Sequence, residues 1–325
     1  VIWIDITNLP HALFFEGIIK KSHAFVTTRE FGSLTKILET KGIDYTLVGK
    51  HGGREPKEKL AQSTRRILNL AKILSKQQVE ICVAKQSVEL PRVAFGLDLP
   101  CIQVVDNEYA EHQNRLTLAL CSRVLVPRAL DDLRLLQQGA EKDKIVSFNG
   151  LCELAHIRNF NPGRRIIKDD YVLLRPGPRF AAYFKGEEII QGVIDSVSRS
   201  YRVLILPRSG ESYKNASIPR TRDSCSLIYH AAAFIGGGGT MNRESALLGT
   251  PTVSYYPQEL LGVDEFLIEK KLMTHAPNLG DIPAILEETV ERKEGLRRRA
   301  KKLRGAMEDP IDALEREINS LMAQP

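Results

Sequence analysis

Strand and helix signals alternate along almost the whole chain, and no other feature restricts the possible folds as strongly. Before residue 150 the apolar runs are VIWIDI, HAFVTT, DYTLVG, EICVA, CIQVVD, RVLVP and KIVSF. Between them lie segments with helical apolar spacing: Leu9 to Lys21, Phe31 to Lys41, Lys57 to Ser75, Val88 to Phe95, Glu111 to Cys121 and one from Leu130. Apolar strands separated by helices of about 10–15 residues mean βαβ units around a parallel sheet. The stretch NFNPGRRIIKDD (159–170) breaks the rhythm with Pro, Gly and charge and reads as a linker. The alternation resumes with YVLLRP, a helix over 182–198, RVLILPR, a helix over 225–233, FIGGG, a helix after Thr240 and PTVSYY. The expected fold is α/β: two doubly wound, Rossmann-like parallel-sheet domains, 1–158 and 171–308, facing across a cleft. A last helix in 309–325 is expected to pack back on the first domain.

Composition narrows the class. A chain of 325 residues has room for two domains, each with its own core. Its longest apolar runs stop short of the roughly 18 residues a membrane span needs. No basic-then-apolar leader opens the sequence, so a cytoplasmic protein is expected. Five scattered cysteines without a CxxC pair read as buried thiols rather than a disulfide or zinc framework. Seven dispersed histidines show neither HxxxH nor HExxH, so neither a protein-built metal site nor a cofactor is expected.

The net charge of +6 is unevenly placed: ERKEGLRRRAKKLRG carries eight Lys/Arg residues from Arg292 to Arg304. Leu296, Ala300, Leu303 and Met307 recur at helical steps, leaving the cations on the opposite face. That face is either a solvated surface or a patch for anionic headgroups and phosphates. No aromatic residues are interleaved with it, so nucleic acid is not the expected partner.

The segment FIGGGGTMNRESALLGTP sets four glycines between a strand and a helix. Helix starts expose N–H groups and partial positive charge, and glycines let an anion approach without a Cβ in the way. Neither GxGxxG nor the Walker pattern fits, so the turn points to a phosphate without naming the molecule. Glu244 falls one residue late for a capping box seeded at Thr240. Its carboxylate either accepts from two adjacent hydroxyls, as on a ribose, or pairs at the surface with Arg243 or a lysine.

This glycine loop, the acid after it and ALLGTPTVSYYP resemble the C-terminal half of GT-B-fold enzymes. The related groups are UDP-N-acetylglucosamine 2-epimerases and the N-acetylglucosaminyltransferase that makes lipid II. More closely, IWIDITNLPHALFF, TTREFG, VGKHGG and GGGGTMNRESALLGTP resemble an archaeal and bacterial family, domain of unknown function 354, over nearly the whole chain. The resemblance implies that Gly237, Gly238, Gly239, Thr240 and Met241, with Asn242 beside them, line the diphosphate of a nucleotide sugar. It implies that Glu244 holds the ribose and that Arg175, Arg208 and Arg179 are candidates to clamp phosphate oxygens.

In the first domain the resemblance points to His11 as general base or transition-state contact, with Asn8 as its neighbour. It favours Asp106 and Glu108 as a carboxylate pair, although acids at helix starts also occur for the dipole alone. His51, in GKHGG, is a further strand-end candidate. Glu153 departs from the related transferase, which has an arginine near that point.

The expected function is metal-independent glycosyl transfer from a nucleotide-activated sugar, with a UDP-sugar as donor partner. The alternatives are a UDP-N-acetylglucosamine 2-epimerase-like enzyme and a non-catalytic nucleotide-sugar binder. The basic helix makes a lipid-linked acceptor, met at the periphery of a membrane, part of the expectation.

Overall fold

A computed structural model describes residues 1–177, 187–207, 212–221 and 223–323. They form two compact units, Val1–His156 with Glu308–Pro325, and Ile157–Met307.

The first unit contains β1 (Ile2–Ile6), β2 (Ala24–Glu30), β3 (Thr46–Lys50), β4 (Ile81–Lys85), β5 (Cys101–Val104), β6 (Arg123–Pro127) and β7 (Ile145–Phe148). All pair in parallel in the order β3-β2-β1-β4-β5-β6-β7. The helices between them are α1 (Leu9–Lys21), α2 (Leu34–Thr40), α3 (Pro56–Leu74), α4 (Glu89–Gly96), α5 (Glu111–Thr117) and α6 (Asp132–Gln137). A short α7 (Leu154–Ile157) follows β7.

In the second unit β8 (Tyr171–Arg175), α8 (Glu187–Val197), β9 (Arg202–Ile205), β10 (Ala216–Ser217), α9 (Ser224–His230) and β11 (Ala233–Gly236) come first. They are followed by α10 (Thr240–Leu248), β12 (Thr252–Ser254), α11 (Gly262–Glu269), β13 (Thr274–His275), α12 (Ile282–Val290) and α13 (Lys293–Ala306). The strands form a parallel sheet ordered β10-β9-β8-β11-β12-β13. The two-residue strands β10 and β13 have no apolar run to announce them in sequence; they add to edges that longer strands already form.

Both sheets reverse their winding once, between β1 and β4 and between β8 and β11. At such a switch point the flanking connections leave in opposite directions, opening a crevice beyond the strands' carboxyl ends.

The chain returns to the first unit through α14 (Pro310–Met322). Asp309 accepts the Ile311 N–H at 2.9 Å, and Pro310 occupies the first turn, where its missing N–H costs no helical bond. Ile311, Leu314, Ile318 and Leu321 then join Phe14, Phe15 and Ile18 of α1 in the first core. The return is pinned by Glu308, whose N–H donates to the Asn149 carbonyl at 2.8 Å and whose Oε2 accepts from the Asn149 N–H at 3.1 Å.

The basic helix α13 has a structural task that its charge pattern did not predict. Lys293 donates to the Ala231 carbonyl, Arg297 to Tyr229, Arg299 to Lys271 and Arg304 to Leu247. These carbonyls lie at the ends of α9, α11 and α10, where the helix leaves acceptors unpaired and the dipole is negative. Arg297 also lies 4.3 Å from the Tyr229 ring centroid. Burial, aided by Arg297 and Arg165, pushes Lys293 down to about 8. Half of the expected cationic face thus closes neighbouring helices, and Arg298, Lys301 and Lys302 remain exposed. Gly249 makes the fit possible: at φ +76° it ends α10, and a Cβ there would meet the Arg297 Cα at 2.5 Å. Among the described residues, no helix is long and apolar enough to cross a membrane.

Candidate functional site

Residues of interest gather at the switch point of each unit. In the first, β1 passes into Thr7 and α1, and His11 occupies the first turn of that helix. His11 is buried, with Nδ1 3.3 Å from Thr7 Oγ1. Burial and the neighbouring Lys85 cation push its pKa down to about 3, against a smaller upward pull from Asp106. The imidazole is therefore neutral at ordinary pH. Asn8 stands at the N-cap of α1, yet its side chain makes no capping bond.

Lys85 closes β4, a strand buried along its whole length, and forms a buried ion pair with Asp106 just beyond β5. Burial by itself would lower the lysine pKa; Asp106, with Cys152 and Glu153, outweighs it and raises the value. Glu153, noted in sequence as a departure from the related transferase, is buried and contributes to balancing Lys85. Sequence reasoning overlooked Lys85. The available signal was a lysine ending an otherwise apolar strand, at the position where an α/β sheet presents chemistry.

Glu108 is also buried, and its loop is held by amides. Gln138 Nε2 donates to the Glu108 carbonyl at 2.8 Å, and Asn114 Nδ2 donates to Gln138 Oε1 at 2.7 Å. Gln86 Nε2 reaches the Asn107 carbonyl at 3.1 Å from a left-handed backbone, φ 44°. Non-glycine residues adopt that region at a cost, and such positions cluster at functional sites.

Beneath these groups lies a charge network. Arg66 of α3 donates to both Asp5 carboxylate oxygens, at 2.5 and 3.0 Å, and to Glu89 at 3.3 Å. Ser87 and Thr27 add bonds to Asp5, each 2.7 Å. Burial would raise the Asp5 pKa, but Arg66 and these donors together hold it below the usual carboxylate value. Arg66 Nε also donates to the Val48 carbonyl at 2.8 Å, tying in the chain that leads to His51. The His51 ring stacks 4.5 Å from that of Phe31, and its Nδ1 accepts from Gly53 N–H at 3.0 Å.

In the second unit the glycine turn follows β11 directly. The Gly237 N–H donates to the Arg175 carbonyl at 3.1 Å, joining the ends of β11 and β8. Glycine is needed here for the protein's own packing. A Cβ on Gly236 would lie 1.8 Å from Asn242 Oδ1, and one on Gly237 would lie 2.7 Å from the Tyr255 ring and 2.8 Å from Gly177 N. At Gly239 it would meet Arg243 Nη1 at 2.6 Å. Gly238, Thr240 and Met241 are partly accessible, whereas Asn242 is buried with Nδ2 3.3 Å from the Gly236 carbonyl. The Arg243 N–H donates to Gly239 O at 3.1 Å, so the amides of Thr240, Met241 and Asn242 precede the first such turn of α10.

Glu244 is 3% exposed. That burial takes it off the surface, and Arg243 beside it in sequence forms a buried ion pair with Asp264, 3.3 Å away. Arg243 thus brings a guanidinium beside the turn that sequence reading had assigned elsewhere. Arg175 Nη1 donates to the Leu206 and Pro207 carbonyls, both at 2.7 Å, fastening the end of β9. Arg179 and Arg208 lie outside the described residues.

Solved structures share this fold over nearly their full lengths. The UDP-GlcNAc 2-epimerase of Methanocaldococcus jannaschii has a TM-score of 0.70 at 14% identity, covering 98% of this chain and 99% of that one. The UDP-GlcNAc 2-epimerase of Neisseria meningitidis, bound to UDP-GlcNAc, gives 0.68 at 14% identity over 99% and 100%. The glycosyltransferase SnogD of Streptomyces nogalater gives 0.63 at 14% identity over 99% of each. At such identities the likeness is one of fold, and it is the GT-B fold. In sequence, the uncharacterized protein MJ0665 of Methanocaldococcus jannaschii is 38% identical over 347 aligned positions, 98% of each chain. The model of the family described as "Protein of unknown function (DUF354)" matches residues 1–318, so the chain belongs to that family.

Proposed function

We propose that the protein acts on a nucleotide-activated sugar, with a UDP-sugar as donor, and transfers the glycosyl group to an acceptor hydroxyl. One observation carries this reading: each unit places its glycine turn or its His–Lys–Asp group at its topological switch point, where ligands of doubly wound sheets bind. In this reading the second unit holds the donor. The amides opening α10, between Gly237 and Asn242, receive the diphosphate, with the Arg243 guanidinium beside them. Glu244 takes the ribose hydroxyls. As the bond from sugar C1 to the diphosphate breaks, the helix start and arginine stabilise the charge that develops on the leaving oxygen, a task that then requires no metal.

The first unit supplies the proton acceptor. His11, with its pKa near 3, is too weakly basic to take a hydroxyl proton efficiently. Its role here is that of a neutral hydrogen-bonding contact, and Asp106 or Glu108 serves as base. Calorimetric titration with UDP and UDP-sugars tests the proposal: binding weakened by Glu244→Ala is expected, and no binding at millimolar ligand overturns it.

A second reading, sugar-nucleotide 2-epimerisation, is favoured by the two buried carboxylates after β5, one of which, Asp106, is paired with the buried Lys85. There a base removes the C2 proton, its electron pair forms a C1–C2 double bond, and the C1–O bond to UDP breaks. Solvent deuterium appearing at C2 without any acceptor selects this reading over transfer.

A further inference from the structure

We propose that the carboxyl ends of β1 and β2 bind an oxyanion group of the second substrate, a phosphate or carboxylate, between the Arg29 guanidinium and His11. The inference rests on the reading that the first unit takes the acceptor, and it adds the acceptor's chemical class.

Thr7 is the hub of this arrangement. Its carbonyl accepts from Arg29 Nε at 3.2 Å, while its hydroxyl lies 3.3 Å from His11 Nδ1. One residue therefore aims both side chains. His11 is 94% buried, being 6% exposed, and its Nε2 has no hydrogen-bond partner among the described residues. It stands in the first turn of the 13-residue α1, a turn without an acidic residue and with no side-chain cap from Asn8. The positive end of that helix is left uncompensated by its own sequence.

Arg29 differs from the cations around it. Arg66 is paired with Asp5 and Glu89, and Lys85 with Asp106. Arg29 has no carboxylate partner among the described residues; besides Thr7 it has only the Phe31 ring, 5.6 Å from its Cζ. Burial and the nearby Arg66 hold its pKa below the ordinary arginine value, against Glu89 and Asp5. Arg29 is also among the cations that lower His11 and His51. A half-buried guanidinium with an open face, beside a buried imidazole and a helix start, is a receptor for an oxyanion, and planar bidentate contact suits phosphate or carboxylate alike.

The test follows the ring resonances of His11 by NMR while inorganic phosphate or acetate is added, in the wild type, Arg29→Gln and Arg29→Lys. Saturable movement of His11 is expected, about tenfold weaker in Arg29→Gln and partly restored in Arg29→Lys. Stronger binding of phosphate or of acetate tells which group the acceptor carries. A parallel calorimetric titration of Arg29→Gln with UDP is expected to match the wild type and reports its folding. His11 resonances unmoved by both anions, or moved equally in all three proteins, overturn the inference even where UDP binds. Movement by phosphate in a protein that ignores UDP would leave this site standing and remove the donor reading instead.

Discussion

Lys85 Nζ and the Asp106 carboxylate form an ion pair that solvent barely reaches, the side chains being 6% and 11% exposed. Lys85 ends β4 and Asp106 lies just beyond the neighbouring β5, and after burial their charges are the next largest influences on His11. Lys85→Met should destabilise the protein by about 3–5 kcal/mol, because it leaves a buried carboxylate without its partner. Urea denaturation measures the loss. Lys85→Met combined with Asp106→Leu should recover a large part of it, and an additive double variant would show that the pair is not coupled.

His11 should give stability a pH dependence of known sign. Its pKa is depressed from 6.5 to about 3 in the folded protein, so between those values the unfolded chain binds the extra proton. Stability from this residue is complete above pH 6.5 and falls as pH drops towards 3. At pH 5 the loss relative to neutral pH is about 2 kcal/mol. Urea midpoints at pH 7.5 and 5 should therefore differ less for His11→Gln than for the wild type; equal differences would contradict a buried neutral imidazole.

Two glycines of one turn should respond unequally to the same change. Gly237→Ala drives a methyl against the Tyr255 ring and the Gly177 backbone, neither of which can swing aside. Gly239→Ala meets only the far end of Arg243, a flexible side chain. Overpacking of the first kind costs roughly 1–3 kcal/mol. Thermal unfolding should rank Gly237→Ala clearly below Gly239→Ala, and the reverse order would show that the turn is held differently.

The cations of α13 should divide into two classes. Arg304→Met removes a donor from the last turn of α10 and should cost about 1–2 kcal/mol. Lys301→Met and Lys302→Met alter exposed positions and should change stability by less than about 0.5 kcal/mol. Thermal melts of the three single variants check the division. A loss at Lys301 equal to that at Arg304 would refute the capping role.

Much of the fold was legible because its signals are local. The stripe from Leu9 to Lys21 has the bounds of α1, and the glycine run does separate a strand from a helix. The candidate site was legible only in part. His11 could be singled out at a strand end, but its protonation state depends on Lys85, Asp106 and Arg29, which come from other strands and loops. Glycines 236, 237 and 239 read as room for a ligand, whereas Asn242, Tyr255 and Arg243 also claim that space.

By itself the sequence determined the βα period, the parallel sheets that follow from it and the bare turn before α10. Those depend on residues close together along the chain, where apolar spacing and glycine geometry act directly. Tertiary structure alone decided that Asp5 meets Arg66, that Lys85 meets Asp106, and that α13 closes three other helices. Such pairings require strand order and helix packing to bring distant segments within hydrogen-bond reach. Once there, removal of water turns ordinary charged residues into strong, mutually dependent partners.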